Sequence, residues 1–129
     1  MKPDLADLQR RDRAHHFHPF TDFKALGAKG TRIITRGEGI YIYDHEGRQL
    51  LDGMAGLWCV NVGYGEKKLI EAATRQLEVL PYYNSFFQCT TEPTISLAER
   101  LAGLTDNRLS HVFFAGSGSE ANDTQIRLV

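Results

Sequence analysis

The feature that most constrains the fold is a glycine- and serine-rich loop between an apolar run and a helical pattern. Residues 111–115 are aromatic and β-branched, which predicts a buried strand. Gly116 and Gly118 tolerate backbone angles that other residues resist, and Ser119 with Glu120 predicts a helix cap and first turn. Because the first N–H groups of a helix lack partners and the helix dipole is positive there, this loop predicts a site for phosphate or another anion.

Composition and charge narrow the class of protein. Of 129 residues, 42% are hydrophobic and 24% are charged, which is typical of one globular domain, or part of one, that can bury a core. The net charge is −1 and there is no basic run, so neither nucleic acid nor an anionic membrane is favoured as a partner. No signal peptide or membrane span is visible, and we expect a cytoplasmic protein. Cys59 and Cys89 are far apart and are expected to be buried thiols, not a disulfide or a metal pair.

Residues 3–18 are expected to form a short, mostly exposed helix with Pro3 in its first turn. His15, His16 and His18 end this segment. Neighbouring residues of a helix point apart, and no carboxylate or cysteine is seen to complete a ligand set, so no metal site is predicted. The histidines are expected on a surface or near a pocket.

A period of two follows in three short runs separated by glycine-containing turns. It predicts a three-stranded antiparallel meander with strands at residues 31–36, 39–44 and 48–52. These strands carry no reactive chemistry and are interpreted as structural.

Residues 53–65 interleave glycines with large apolar side chains without a clear period. Such segments often form pocket walls, whereas composition alone favours Leu57 and Trp58 as core residues. Both interpretations stay open on local grounds.

Two helices are predicted further along the chain. The first covers residues 66–80 with one buried face, and the second starts at a Thr91 cap with Pro93 in its first turn. The aromatic segment 81–90 between them suits a core, a subunit interface or a substrate wall equally well. Helix, strand, glycine loop and helix is the connectivity of an open α/β sheet, in which ligands bind beyond the carboxyl ends of strands.

The last helix is expected to run from Ser119 to Val129 without a capping glycine or a following strand. We therefore interpret the chain as a fragment.

Several loop chemistries compete for residues 116–121. A P-loop is excluded because its lysine is absent, and a G-x-S-x-G serine nucleophile is not matched. The relaxed dinucleotide fingerprint G-x-G-x-x-[GA] is satisfied, although it normally opens a domain. A dinucleotide-binding oxidoreductase and a loop that merely starts a helix therefore remain alternatives.

The stretch Phe-Phe-Ala-Gly-Ser-Gly-Ser-Glu-Ala-Asn-Asp-Thr at residues 113–124 resembles the phosphate-binding segment of class III aminotransferases, which use pyridoxal 5′-phosphate. Residues 37–53 resemble the N-terminal meander of that family. Residues 57–65 resemble its ω-amine branch, the ω-transaminases and β-alanine:pyruvate enzymes. Many members carry histidines around residues 63–65, where this chain has Tyr64 and then Glu66; this departure fits the ω-amine branch.

The resemblance implies an α/β protein, the N-terminal part of the fold-type I pyridoxal-phosphate-dependent transferase fold. That part consists of the antiparallel meander and the start of a large mixed, mostly parallel sheet. Three regions are expected: residues 1–30 as an N-terminal helix and pocket-approach segment, 31–80 as the meander and helix of the small domain, and 81–129 as the truncated start of the cofactor-binding domain.

By the same resemblance, the N–H groups of Gly118 and Ser119 and the hydroxyl of Ser119 would hold the cofactor phosphate, with Ser117 shaping the turn. A phosphate held at a helix start orients the rest of the cofactor.

The substrate pocket implied by the resemblance is apolar. Leu57 and Trp58 would line it, Phe20 would approach it from the N-terminal segment, and Phe86 or Phe87 would reach it from the neighbouring subunit of a homodimer.

The implied reaction is transamination between an ω-amine or amino acid donor and a keto acid such as pyruvate. The family's catalytic lysine motif is not matched at Lys2, Lys24, Lys29, Lys67 or Lys68 and is expected downstream of residue 129. We therefore expect this chain alone to be inactive. A non-catalytic binding module of the same fold is the remaining alternative.

Overall fold

The computed structural model describes residues 3–106 and 108–129. In chain order the elements are α1 (Leu5–His15), α2 (Phe23–Lys29), β1 (Ile34–Glu38), β2 (Tyr41–Asp44), β3 (Gln49–Leu51), α3 (Ala55–Trp58), α4 (Lys67–Val79), α5 (Glu92–Gly103) and α6 (Gly118–Leu128). The chain divides into two units, Met1–Arg75 and Gln76–Val129, and each is described by itself.

The predicted meander is confirmed as a three-stranded sheet in the order β1-β2-β3. Both pairings are antiparallel, with Ile42 of β2 opposite Gly37 on one side and Leu50 on the other. The register shifts between Ile34 and Arg36, and β1 starts at Ile34, three residues later than expected from the period.

The turn between β2 and β3 is built on Asp44, whose exposure is 2%. Its carboxylate accepts hydrogen bonds from the backbone N–H groups of Glu46 and Arg48, each at 3.0 Å, and from Arg48 Nε at 2.7 Å. The side-chain bond from Arg48 lowers the pKa of Asp44, although burial opposes this. A buried carboxylate with this many donors stays charged and holds the turn closed.

The N-terminal unit contains one helix that the sequence analysis placed too broadly and one that it missed. The first, α1, starts after Asp4, whose carboxylate accepts from the Asp7 N–H, so Pro3 lies outside the helix. It ends because His16 takes an extended backbone. The second, α2, is capped by Asp22, whose carboxylate accepts from the N–H groups of Lys24 at 2.9 Å and Ala25 at 3.1 Å.

Helices α4 and α5 are confirmed, and α5 has Thr91 as its N-cap with proline in the first turn. The Thr91 hydroxyl contacts the Thr94 hydroxyl at 2.8 Å and does not cap the helix backbone. The buried face expected for α4 is wrong, because Leu69, Ile70 and Leu77 are all more than half exposed.

The prediction of a strand at residues 111–115 is wrong, because this segment pairs with no neighbouring strand. This segment has no ladder, and the described residues of the second unit contain no strand. A strand exists only through hydrogen bonds to a neighbour, so an apolar β-branched run without one remains an unpaired segment. The expected Ser119 cap is also wrong, since α6 begins at Gly118 with Ser117 as its N-cap.

Few side chains are buried, contrary to the core expected from composition. In the described part of the chain, Ala102 is the buried hydrophobic residue, at 7% exposure. Cys59 is an exposed free thiol and Cys89 a half-buried one, so neither is the fully buried thiol that was expected. The amphipathic helices therefore present their apolar faces uncovered. None of the described helices combines the length and the apolar character needed to cross a membrane.

The segment that follows α3 is joined to the meander through backbone contacts of Gly39 with Tyr64. The Gly39 N–H donates to the Tyr64 carbonyl at 3.0 Å, and the Tyr64 N–H donates to the Gly39 carbonyl at 2.7 Å. Beside this bridge, Gly63 has a φ of +84°, and a Cβ added there would lie 2.8 Å from the Gly39 carbonyl oxygen. Only glycine fits this approach without strain.

We expect Gly63→Ala to lower the free energy of unfolding by about 1–3 kcal/mol, because the new methyl group meets a backbone carbonyl and the left-handed φ is unfavourable. Urea denaturation of the full chain measures the change. Gly53→Ala is the matched control, since a Cβ there has no atom within 4 Å. Equal stability of the two variants would contradict the close approach.

Candidate functional site

The start of α6 satisfies its own backbone through two neighbouring side chains. Ser117 is extended, with φ −156° and ψ 164°, and its hydroxyl oxygen accepts from the Glu120 N–H at 3.2 Å. The Glu120 carboxylate in turn accepts from the Gly116 N–H at 2.7 Å. This is a capping-box arrangement in which the glutamate reaches one residue before the cap.

Two further N–H groups at this helix start could bind a ligand. Gly118 and Ser119 occupy the first helical positions, and such N–H groups precede the first intrahelical bonds. The space beside Gly118 is open, because a Cβ there would meet no atom within 4 Å. Ser119, which carries a hydroxyl, is an exposed residue. With the dipole of an 11-residue helix behind them, these groups suit a phosphate.

A second unusual element, α3, bears Leu57 and Trp58. All its residues have positive φ: 48° at Ala55, 59° at Gly56, 61° at Leu57 and 66° at Trp58. It is a single turn in the left-handed region, closed by the Trp58 N–H, which donates to the Met54 carbonyl at 2.9 Å. This conformation costs each residue other than glycine about 1–2 kcal/mol of free energy.

Asp52 and Tyr64 hold this left-handed turn. The Asp52 carboxylate accepts from the Gly56 N–H at 2.8 Å and from the Tyr64 hydroxyl at 2.6 Å. The hydrogen bond between these two side chains lowers the pKa of Asp52 and raises the pKa of Tyr64. The turn therefore depends on a charged carboxylate and a protonated phenol.

Most of the predicted pocket residues have a positive φ, which places their backbone in the left-handed region. Phe20, Leu57, Trp58 and Phe87 have φ of 48°, 61°, 66° and 56°. They are exposed aromatic or aliphatic side chains, and Trp58 is 81% exposed, so the interpretation of Leu57 and Trp58 as core residues is not supported. Strained backbone concentrates at functional sites, where it aims side chains that regular elements cannot aim.

In the second unit, Phe86 and Phe87 lie on the aromatic segment before α5. Their ring centroids are 6.3 Å apart, and the Phe86 N–H donates to the Asn84 side-chain oxygen at 2.9 Å. Phe86 lines a cavity of about 780 Å³ together with residues of α5 and residues such as Phe113 and Phe114 of the run before the loop. The segment thus forms an apolar wall within its own unit.

Compared with known protein families, residues 25–129 match the aminotransferase class-III model. The chain belongs to the class III aminotransferases.

Relatives of this class III chain include the putrescine–pyruvate aminotransferase of Pseudomonas aeruginosa, 57% identical over 95% of this chain and 27% of that protein. The vanillin aminotransferase of Capsicum annuum is 49% identical over 75% of this chain and 21% of that protein. The class III chain thus spans about a quarter of the length of these relatives.

Solved structures similar to this class III chain are transaminases. An (S)-enantioselective ω-transaminase from Thermomicrobium roseum superposes with a TM-score of 0.91 at 42% identity, over 99% of this chain and 29% of that one. An ω-transaminase from Pseudomonas jessenii in complex with PMP gives 0.88 at 41% identity, over 94% and 27%. The expected N-terminal part of fold-type I is confirmed, and the matches give no support to the dinucleotide-binding oxidoreductase.

Two parts of the site of this class III chain were not predicted from its sequence. The cap was assigned to Ser119 and not to Ser117, although the S-x-x-E spacing from Ser117 to Glu120 was a usable signal. The contact between Asp52 and Tyr64 joins residues twelve positions apart and has no local signature. The assignment of cofactor and substrate roles to individual residues stays a prediction.

We expect Tyr64→Phe to change how stability depends on pH. The folded pKa of Asp52 lies below the unfolded value of about 3.9, so its contribution is complete above that pH and is lost as pH falls through the folded pKa. The folded pKa of Tyr64 lies above the unfolded value of about 10, so its contribution is complete below that pH and is lost as pH rises through the folded pKa.

Urea midpoints across the pH range measure this effect. Tyr64→Phe should be less stable than the parent chain at neutral pH, and the difference should shrink at both extremes. Tyr82→Phe is the control, since Tyr82 is 79% exposed. A difference independent of pH would contradict the contact.

Proposed function

We propose that this chain contributes the phosphate-binding loop and apolar pocket walls to a pyridoxal-phosphate-dependent transaminase. The proposed reaction transfers an amino group from an ω-amine or amino acid to a keto acid such as pyruvate. The observation that carries the proposal is the pair of N–H groups at Gly118 and Ser119, which open a helix beside an exposed serine hydroxyl. The putrescine–pyruvate aminotransferase at 57% identity supports the choice of amine and acceptor.

The residues at the helix start fit a phosphomonoester. The backbone N–H groups of Gly118 and Ser119 would donate two hydrogen bonds to the phosphate, and the Ser119 hydroxyl would donate a third. Ser117 keeps the turn in shape through its own cap bond. Pyridoxal 5′-phosphate, when bound, supplies the electron sink that makes the carbon next to the substrate nitrogen acidic. The contribution of this loop is to fix the distal end of that molecule.

The proposed substrate pocket is apolar. Leu57 and Trp58 belong to the left-handed turn held by Asp52, and Phe20 itself has a positive φ. Exposed apolar side chains of this kind bind the carbon chain of an amine and exclude water from it. Phe86 and Phe87 are proposed to act in the neighbouring subunit of a homodimer; the dimer and the cytoplasmic location are part of this proposal.

We expect Ser119→Ala to weaken binding of pyridoxamine 5′-phosphate by about tenfold or more, because a hydrogen bond to a charged phosphate is lost. Pyridoxamine 5′-phosphate has no aldehyde that could react with surface lysines. Amide NMR shifts at Gly118 and Ser119 during titration measure the affinity. Pyridoxamine without the phosphate should leave these amides unshifted.

Two serine variants serve as comparisons. Ser96→Ala removes an exposed hydroxyl from α5 and should bind like the parent chain. Ser117→Ala should instead lower stability by about 1 kcal/mol, because a helix cap is lost. Equal binding by Ser119→Ala and Ser96→Ala would refute the phosphate role.

We also expect that the purified 129-residue chain does not transaminate. None of the lysines of its sequence lies in a segment that matches the family's lysine motif. The assay follows pyruvate consumption with putrescine as donor in the presence of pyridoxal 5′-phosphate. Steady turnover would contradict this expectation.

A longer polypeptide with the full length of the relatives is the positive control. If it binds pyridoxamine 5′-phosphate but shows no turnover, the non-catalytic binding module is the better description.

A further inference from the structure

Asp12, His16 and His18 converge at the end of α1. Asp12 and His16 are four residues apart, which places them on one side of the helix end. The distance from His16 Nδ1 to Asp12 Oδ1 is 3.1 Å, and that from His18 Nε2 to Asp12 Oδ2 is 2.9 Å. From the sequence alone no carboxylate was expected beside these histidines, and the structure places Asp12 there.

We propose that Asp12, His16 and His18 form a binding site for a borderline divalent transition-metal ion, with Zn²⁺ as the test ion. The site is independent of the proposed transaminase chemistry, because none of its residues is assigned to the cofactor or the substrate. Its ligand atoms are two imidazole nitrogens and one carboxylate oxygen, a set that favours Zn²⁺, Cu²⁺ or Ni²⁺ over the all-oxygen preference of Ca²⁺ and Mg²⁺.

The spacing of the ligand atoms fits one ion. Zinc lies about 2.0–2.2 Å from nitrogen and oxygen ligands, so ligand atoms around a tetrahedral ion are about 3.4 Å apart. The three candidate atoms lie within 4.8 Å of one another, and the two contacts to the carboxylate are at 3.1 and 2.9 Å. Side-chain rotations would have to bring all three atoms to bonding distance of one ion.

Metal binding would require the ring protons of His16 and His18 to change position, but the charge of each neutral ring would stay the same. Because a carboxylate only accepts, a neutral ring would donate to Asp12 through the nitrogen that faces it, which is Nδ1 in His16 and Nε2 in His18. When the ion replaces these contacts, each proton moves to the other nitrogen of the same ring. Both imidazoles then bind the ion as neutral ligands.

A second layer of hydrogen bonds orients the carboxylate. The Thr31 hydroxyl donates to Asp12 Oδ2, and Gln9 Nε2 donates to the Thr31 carbonyl at 2.8 Å. The bond from Thr31, followed by that from His18, lowers the pKa of Asp12 to about 2, so Asp12 is anionic at neutral pH. Such outer contacts fix first-layer ligands in metal sites.

The cluster is accessible to an ion. Asp12, His16 and His18 line a groove of about 510 Å³ on the N-terminal unit. The side chains of Asp12 and His18 are each 17% exposed, whereas that of His16 is 59% exposed. The groove therefore provides an entry path and room for a water molecule as the fourth ligand.

Calorimetric titration of the full chain with ZnCl₂ tests the proposal, using protein purified without a polyhistidine tag. We expect one site per chain that is lost in the double variant Asp12→Asn/His18→Gln. Thr31→Val should weaken the site by about 10-fold to 100-fold, because it removes the contact that orients the carboxylate. His15→Gln is the matched control and should bind like the parent chain, since His15 is exposed and outside the cluster.

Thermal unfolding gives a second readout. Zn²⁺ should raise the melting temperature of the parent chain and of His15→Gln, and leave that of the double variant unchanged. Circular dichroism at neutral pH checks that the variants keep their helices. The proposal is overturned if the parent chain binds no Zn²⁺, if the folded double variant binds it equally well, or if His15→Gln abolishes binding.

Discussion

The hydrogen bond between the Tyr64 hydroxyl and the Asp52 carboxylate, at 2.6 Å, is the side-chain contact that ties the left-handed turn to the meander. The backbone of Tyr64 is bonded to Gly39 at the edge of the meander, while Asp52 follows β3 and accepts from Gly56 in the left-handed turn. One pair of side chains thus connects the sheet to the turn that bears Trp58. The left-handed backbone of that turn is unfavourable for residues other than glycine. These hydrogen bonds, and not local conformational preference, therefore determine its geometry.

An element of the fold could be predicted from the sequence when the residues that determine it lie within a few positions of one another. The meander and helices α4 and α5 have hydrophobic periods, turn residues and caps within a few positions, so their patterns were sufficient. The strand at residues 111–115 and the buried faces depend on distant partners. Within each unit those faces are uncovered, and this chain spans 27% of its putrescine–pyruvate aminotransferase relative. Periodicity shows which side of a helix is apolar but not whether anything packs on it.

The candidate site divides in the same way. The glycine- and serine-rich loop was recognisable because its residue types and spacing are contiguous, and the structure places two N–H groups there at a helix start. The positive φ at Phe20, Leu57, Trp58 and Phe87 could not be predicted, since none of these residue types favours that conformation. The partnership of Asp12 with His18 was missed because the helix ends between them and the chain changes direction.

The cap of α6 affects the conformational entropy that ligand binding at this helix start would cost. Ser117 and Glu120 satisfy the neighbouring donors internally, so the helix start is already formed without an anion beside Gly118 and Ser119. A docking point that needs no folding step loses little conformational entropy when it is filled. If this helix start binds a phosphate as proposed, the anion would meet donors that are already in place, and no folding step would have to precede binding.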